Sequence, residues 1–204
     1  AAIEKRIWQG AFCSHTVPDT FRESIIRWWQ RRHQYEMEKE WILYCTGVVP
    51  AISSIVRKMT EIGDDIVVLA PVYNIFYNSI LNNGRKVLAS ELRYADGSYT
   101  IDYADLEEKL SRETTSLFIF CNPHNPIGKV WDRPTLERIA ELCIKHDVLV
   151  VSDEIHCDLT HIGHAYIPFA SLSKEIADRT ISCIAPTKTF NIAGLQTAAI
   201  VIPN

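Results

Sequence analysis

Val148-Leu149-Val150-Val151-Ser152-Asp153-Glu154-Ile155-His156 is the stretch that decides how this chain folds. A short, unbroken apolar run rich in valine and stopped by two acids has the length and composition of a strand covered on both faces. Just upstream, Leu136, Ile139, Ala140 and Cys143 recur at helical spacing behind Asp132, which stands where a helix cap belongs. Further strands are read at 116–121, 180–184 and 197–202. Nearer the start of the chain the spacing predicts strands over 41–45, 66–70, 86–89 and 99–101.

Helical patterns lie between them. Pro18-Asp19-Thr20 followed by Glu23 reads as a capped start, with Phe21, Ile25, Trp28 and Trp29 on one side and Arg31-Arg32-His33 as a solvated end. Gly47 opens a second helix whose Ile52, Ile55, Val56, Met59 and Ile62 run up to Gly63. Tyr73, Phe76, Tyr77, Ile80 and Leu81 form a third stripe closed by Asn83-Gly84, and Asp102 caps a short helix through Leu110. Strands alternating with helices imply right-handed crossovers and a mostly parallel sheet with helices on both faces, a three-layer α/β/α architecture.

Composition narrows the function classes. With 204 residues, 47% hydrophobic and 23% charged, the chain has the makeup of a globular domain and not of a disordered or fibrous one. A net charge of −4 gives no bulk attraction to nucleic acid or an anionic membrane. The apolar runs fall far short of the roughly 18 residues a membrane helix needs, and the charged opening segment lacks the apolar centre of a secretory signal. Six scattered cysteines without a Cys-x-x-Cys pair indicate neither a disulfide scaffold nor a metal site, so reduced thiols in a cytoplasmic protein are expected.

Ligands of such sheets collect at the carboxyl ends of the strands, and three loops there stand out. Asn122-Pro123-His124-Asn125-Pro126-Ile127-Gly128 is either a plain rigid turn or a device for aiming one amide. Asp153 is either a helix cap or a buried acid that requires a partner. Lys188, in Ala185-Pro186-Thr187-Lys188-Thr189-Phe190, is either an ordinary snorkelling side chain or a buried amine nucleophile. Taken in order, an aiming Asn, a buried Asp and a buried Lys at one sheet edge match the needs of pyridoxal phosphate. The lysine supplies a Schiff base, the aspartate holds the pyridine proton, and the amide donates to the ring hydroxyl.

At these residues the chain resembles the fold-type I pyridoxal-phosphate enzymes of the aminotransferase class I/II superfamily, and more closely their cystathionine β-lyase (MalY/PatB-like C–S lyase) branch. The resemblance rests on 121–128, 150–156 and 185–191, with Thr46-Gly47-Val48-Val49-Pro50 and Pro71-Val72-Tyr73 in support. It implies Lys188 as the Schiff-base lysine and the acid/base at the substrate's α-carbon, Asp153 on the pyridinium, and Asn125 on the ring oxygen. It also implies Tyr73 stacked on the ring, Gly47, Val48, Val49 and Thr187 around the phosphate, and His156 among the cofactor-binding residues. Tyr73 can equally be core packing with Phe76 and Tyr77.

Gln196 and His156 stand where many aminotransferases have Arg and Tyr, and both look like the lyase branch. Phe12-Cys13-Ser14 stands where that branch has Phe-Gly-Tyr, which puts the cross-subunit phosphate contact in doubt. Family members are roughly twice as long, so the resemblance implies a helical segment over 1–40, a cofactor-binding large domain over 41–204, and no C-terminal small domain. The implied activity is cleavage of cystathionine or related cysteine S-conjugates to a thiol, pyruvate and ammonia by a cytoplasmic homodimer, with this portion alone inactive. Alternatives are an aminotransferase and a cofactor-binding regulatory protein.

Overall fold

A computed structural model describes residues 2–10 and 16–204; Phe12-Cys13-Ser14 lies outside the described residues. In chain order the elements are α1 (Ala2–Gln9), α2 (Asp19–His33), β1 (Ile42–Cys45), α3 (Val48–Met59), β2 (Asp65–Ala70), α4 (Asn74–Leu81), β3 (Lys86–Glu91) and β4 (Arg93–Ala95). There follow β5 (Ser98–Thr100), α5 (Tyr103–Leu110), β6 (Thr115–Cys121), α6 (Arg133–Lys145), β7 (Leu149–Asp153), α7 (Lys174–Ala177), β8 (Thr180–Ile184) and β9 (Ala198–Val201).

Seven strands form one sheet in the order β1-β9-β8-β7-β6-β2-β3. The run from β3 to β8 pairs in parallel. β9 is antiparallel to both its neighbours, which leaves β1 pointing the same way as β8. The expected mostly parallel sheet is therefore present, with one reversed strand near an edge.

Both faces are covered because side chains alternate along each strand. Val67, Leu69, Phe118, Phe120 and Val150 meet Leu106 of α5 and Leu136 and Ile139 of α6. Their neighbours Ile66, Val68, Leu117, Ile119 and Val151 point the other way, onto Ile52 and Val56 of α3 and Phe76 and Ile80 of α4. Full burial of each such side chain is worth about 1.5–3 kcal/mol, so the valine-rich runs are explained by two covered faces. A third cluster seats Trp29 of α2 against Ile42, Ile184, Ala199 and Val201 at the β1 side.

Several local expectations hold. Asp102 and Asp132 cap α5 and α6, accepting from the N–H groups of Asp105 and Thr135. Others need correction. Asp19 does not cap α2: extended Pro18 is the N-cap, and the Asp19 carboxylate pairs with Lys39 at 2.6 Å instead. α3 stops at Met59, because Thr60 turns extended and its hydroxyl donates to Val56 O at 2.6 Å, leaving Ile62 in solvent. The strand expected near 99–101 is β5, which pairs with β4 in a separate hairpin. The end of α2 is not simply solvated, since the His33 side chain is buried beside Asp158.

Candidate active site

The shared direction of β1, β2, β6, β7 and β8 brings the loops carrying Gly47, Tyr73, Asn125, Asp153 and Lys188 to one edge of the sheet. β6, β7 and β8 are adjacent, and neighbouring strands lie about 4.8 Å apart. The chain order reverses between β2 and β6, which is where open α/β sheets leave a crevice.

After β1, Gly47 is the N-cap of the twelve-residue α3, which has no acid in its first turn. Its backbone is extended, at φ 167°, so the reason for glycine is space: a Cβ there would meet Pro50 Cδ at 3.3 Å. Val48 and Val49 present first-turn N–H groups at the positive end of the helix, an arrangement that suits an anion. After β2, Tyr73 is 37% exposed and meets Phe76 edge-on at 5.9 Å. Packing on Phe76 and a free ring face thus coexist.

The β6 loop is held at both ends. Asn122 is buried, accepting from Trp131 N–H at 3.2 Å and donating to Ile167 O at 3.4 Å. His124 N–H donates to Lys129 O at 2.7 Å, and Gly128 N–H to His124 O at 2.8 Å. His124 Nε2 lies 3.0 Å from Pro71 O, and a carbonyl can only accept, so the imidazole ties this loop to the β2 loop across the crevice. Asn125 sits half-buried at the tip. The rigid-turn reading and the aimed-amide reading are both compatible with this loop.

Asp153, the last residue of β7, is 5% exposed and opens no helix, so it is no cap. Burial drives its carboxyl up to about 7; the Glu154 charge adds to this, while the Ile155 N–H bond at 3.1 Å and the Lys188 charge offset part of it. Glu154 is also buried, accepting from Ser152 Oγ at 2.8 Å, Ser182 Oγ at 3.3 Å and Phe169 N–H at 3.3 Å. His156 is half-buried, and burial followed by the Lys188 charge keeps its imidazole below the usual range.

Lys188 requires a correction: its side chain is exposed, not buried. It lies four residues past β8 on a turn closed by Phe190 N–H to Pro186 O at 3.0 Å and Ile192 N–H to Thr187 O at 2.9 Å. That turn lifts the amine off the sheet edge while Thr187 stays buried. The lysine's charge still acts on both Asp153 and His156. Asn125 and His156 line one cleft of about 540 Å³. Gln196 closes a short 3-10 turn before β9 in the left-handed region.

Sequence reasoning missed Asp158. Its carboxylate accepts from Trp28 Nε1 at 3.0 Å and from Thr189 Oγ1 at 3.0 Å, with His33 Nε2 at 3.1 Å and Arg32 at 3.6 Å. Burial alone would raise its carboxyl, but the donors from His33, Thr189 and Trp28 outweigh that and hold it low. It therefore joins α2 to the turn bearing Lys188, through residues far apart in sequence. Cys157 brings a third metal-ligand atom type within 4.8 Å of those of His33 and Asp158. Burial and the neighbouring acids push that thiol well up, and the Asp158 oxygens are already occupied, so the cluster serves as a structural joint. Asp158→Ala is expected to destabilise the protein by about 2–4 kcal/mol through these lost partners, read as a lowered urea midpoint with unchanged slope.

The aminotransferase class I and II family profile matches residues 10–204. The chain is 48% identical over its whole length to cystathionine beta-lyase PatB of Bacillus subtilis and covers 52% of that protein. It is 31% identical, again over its whole length, to protein MalY of Escherichia coli, of which it covers 52%. Among solved structures, cystalysin of Treponema denticola, which contains a pyridoxal 5'-phosphate cofactor, superposes with a TM-score of 0.94 at 38% identity, over 98% of this chain and 51% of that one. The chain thus spans about half the length of the relatives it matches.

Proposed function

Because the chain belongs to the aminotransferase class I and II family, we propose that it is the cofactor-binding part of a pyridoxal-phosphate C–S lyase. The observation that carries this reading is the buried Asp153 carboxyl, driven up to about 7 by burial, within reach of the Lys188 charge. An acid in that position gains by meeting a cation, and a protonated pyridine nitrogen is one. The rest of the cofactor finds chemistry to match. A phosphate fits the acid-free N-terminus of α3 beside Gly47, with the Thr187 hydroxyl nearby in sequence to the lysine. The exposed face of Tyr73 and the Asn125 amide fit a flat ring with one hydroxyl.

When bound, pyridoxal phosphate supplies an aldehyde and an electron-withdrawing ring that acidify the hydrogen on a substrate's α-carbon. Lys188 would hold the group through its side-chain nitrogen, and its Nζ would serve as the base for the substrate's α-proton. Its exposed turn suits an amine that must be both reached and released. Asp153 would keep the ring nitrogen protonated, Asn125 would orient the ring through its oxygen, and the α3 N–H groups would hold the phosphate. Overall, a cysteine thioether and one water yield a thiol, pyruvate and ammonia.

The lyase assignment is favoured over amino-group transfer by the 48% identity to a cystathionine beta-lyase. His156 and Gln196, at positions where many aminotransferases have Tyr and Arg, also look like that branch. We further propose that residues 41–204 form the large domain behind a 1–40 helical segment, and that the full-length protein is a homodimer that acts on cystathionine or related S-conjugates in the cytoplasm. The five described cysteines are free thiols, and no described helix is long and apolar enough to cross a membrane. With added cofactor, the full-length protein is expected to release thiol and pyruvate in equal amounts from a cysteine thioether. Transfer of the amino group to a 2-oxo acid, with no thiol, overturns the lyase reading.

A further inference from the structure

The cleft of about 540 Å³ beside the candidate active site carries one ammonium and several imidazoles in its lining. It is walled by Lys129, His156, His161 and His164, and among the described residues no aspartate or glutamate contributes to it. Asn125, assigned to the cofactor's ring oxygen, and His156, three residues after Asp153, both line this cleft, so it adjoins the candidate active site. Its volume falls in the usual range for small-molecule sites, about 300–1,000 Å³.

Lys129 and the turn bearing His161 and His164 are held in place by neutral partners. Lys129 follows the closed β6 loop and donates to the Tyr99 carbonyl, with Ser98 Oγ at 3.4 Å and the Trp131 ring centre at 5.1 Å. The nearest acid it influences is Asp132, which is already engaged in capping α6. His161 and His164 flank one tight turn, closed by His164 N–H to His161 O at 3.0 Å. Gly163 between them takes φ +90°, a conformation that side chains oppose. Both imidazoles are exposed on that turn.

We infer that this cleft receives the part of the substrate beyond sulfur, and that it selects a leaving group ending in a carboxylate. The inference rests on the lyase reading above. With the α-amino group directed to Lys188, the thioether arm has to leave the centre by an open path, and the cleft beside Asn125 and His156 is one. An anion there meets the Lys129 ammonium and imidazole N–H donors, with no acid in the lining to repel it.

The test uses two cysteine conjugates of equal length on the full-length, cofactor-loaded protein: S-(2-carboxyethyl)cysteine and its terminal amide. The acid is expected to be preferred about tenfold or more in kcat/KM, chiefly through KM, as loss of one charged hydrogen bond implies. In Lys129→Gln, and separately in His161→Gln/His164→Gln, that ratio is expected to fall at least about fivefold. Any intrinsic difference in thiol departure is the same in every variant and cancels. The histidine pair is exposed, so its loss leaves the core untouched even if Lys129→Gln disturbs the loop. Equal kcat/KM for acid and amide, or a ratio unmoved in both variants, overturns the inference while leaving the lyase reading intact. Thiol release from neither conjugate overturns the lyase reading, and the inference falls with it.

Discussion

A Lys188→Ala variant of the full-length protein is expected to lose thiol release by about 10²–10⁴-fold or more, the range for removing a positioned acid/base. The same variant should no longer fix the cofactor to protein on borohydride treatment, and peptide mapping of the parent should find the label at Lys188. The argument is one of position. Lys188 follows β8, next to the strand that ends in Asp153, and it is the lysine whose charge is felt by both Asp153 and His156. The cofactor should still bind the variant, since the N–H groups of α3 and the Asp153 carboxyl do not depend on the lysine. Labelling of any other lysine in the parent, or a variant with undiminished turnover, overturns the assignment.

Asp153→Asn separates stability from function in opposite directions. In the cofactor-free protein the carboxyl titrates near 7, against an ordinary value of 3.8. Between those values the folded state holds more protons than the unfolded one, so stability contributed by this group is full below about pH 4 and declines as pH rises to 7. A shift of that size corresponds to a few kcal/mol, on the order of 1.4 kcal/mol for each pH unit. Asparagine removes that dependence. The variant is expected to be more stable than the parent at pH 8 without cofactor, to differ less at pH 5, and to lose about 10²–10⁴-fold in turnover because a carboxamide cannot keep the ring nitrogen protonated. Urea midpoints at the two pH values and a thiol assay check all three. A parent whose midpoint follows the variant's across that range overturns the account.

Much of this was legible in the residues because each signal was local. Apolar runs of strand length give β2, β6, β7 and β8, and aspartates before apolar periods give the caps at 102 and 132. The loops after β6, β7 and β8 were readable because parallel strands leave their carboxyl ends together. Features set by distant partners were not readable. Asp19 leaves its expected cap for Lys39, twenty residues on, and Asp158 draws its donors from Trp28, His33 and Thr189. The depth of Lys188 was misjudged for a related reason: the apolar residues around it in sequence do not surround it in space, because the hydrogen-bonded turn carries the side chain outward. The one reversed strand was likewise invisible, since β9 reads as any other buried run.

That reversed strand has a consequence for biosynthesis. Once β2 and β3 exist, β6 joins the free side of β2, and β7, β8 and β9 then each join beside the strand laid down before, so the sheet can grow outward as the nascent chain leaves the ribosome. β1 emerges ahead of these strands and yet has its ladder with β9, where Ile42 faces Val201. Until β9 is translated, β1 lacks the strand it pairs with, and closing so long a loop carries an entropic cost that falls late in the assembly of this sheet.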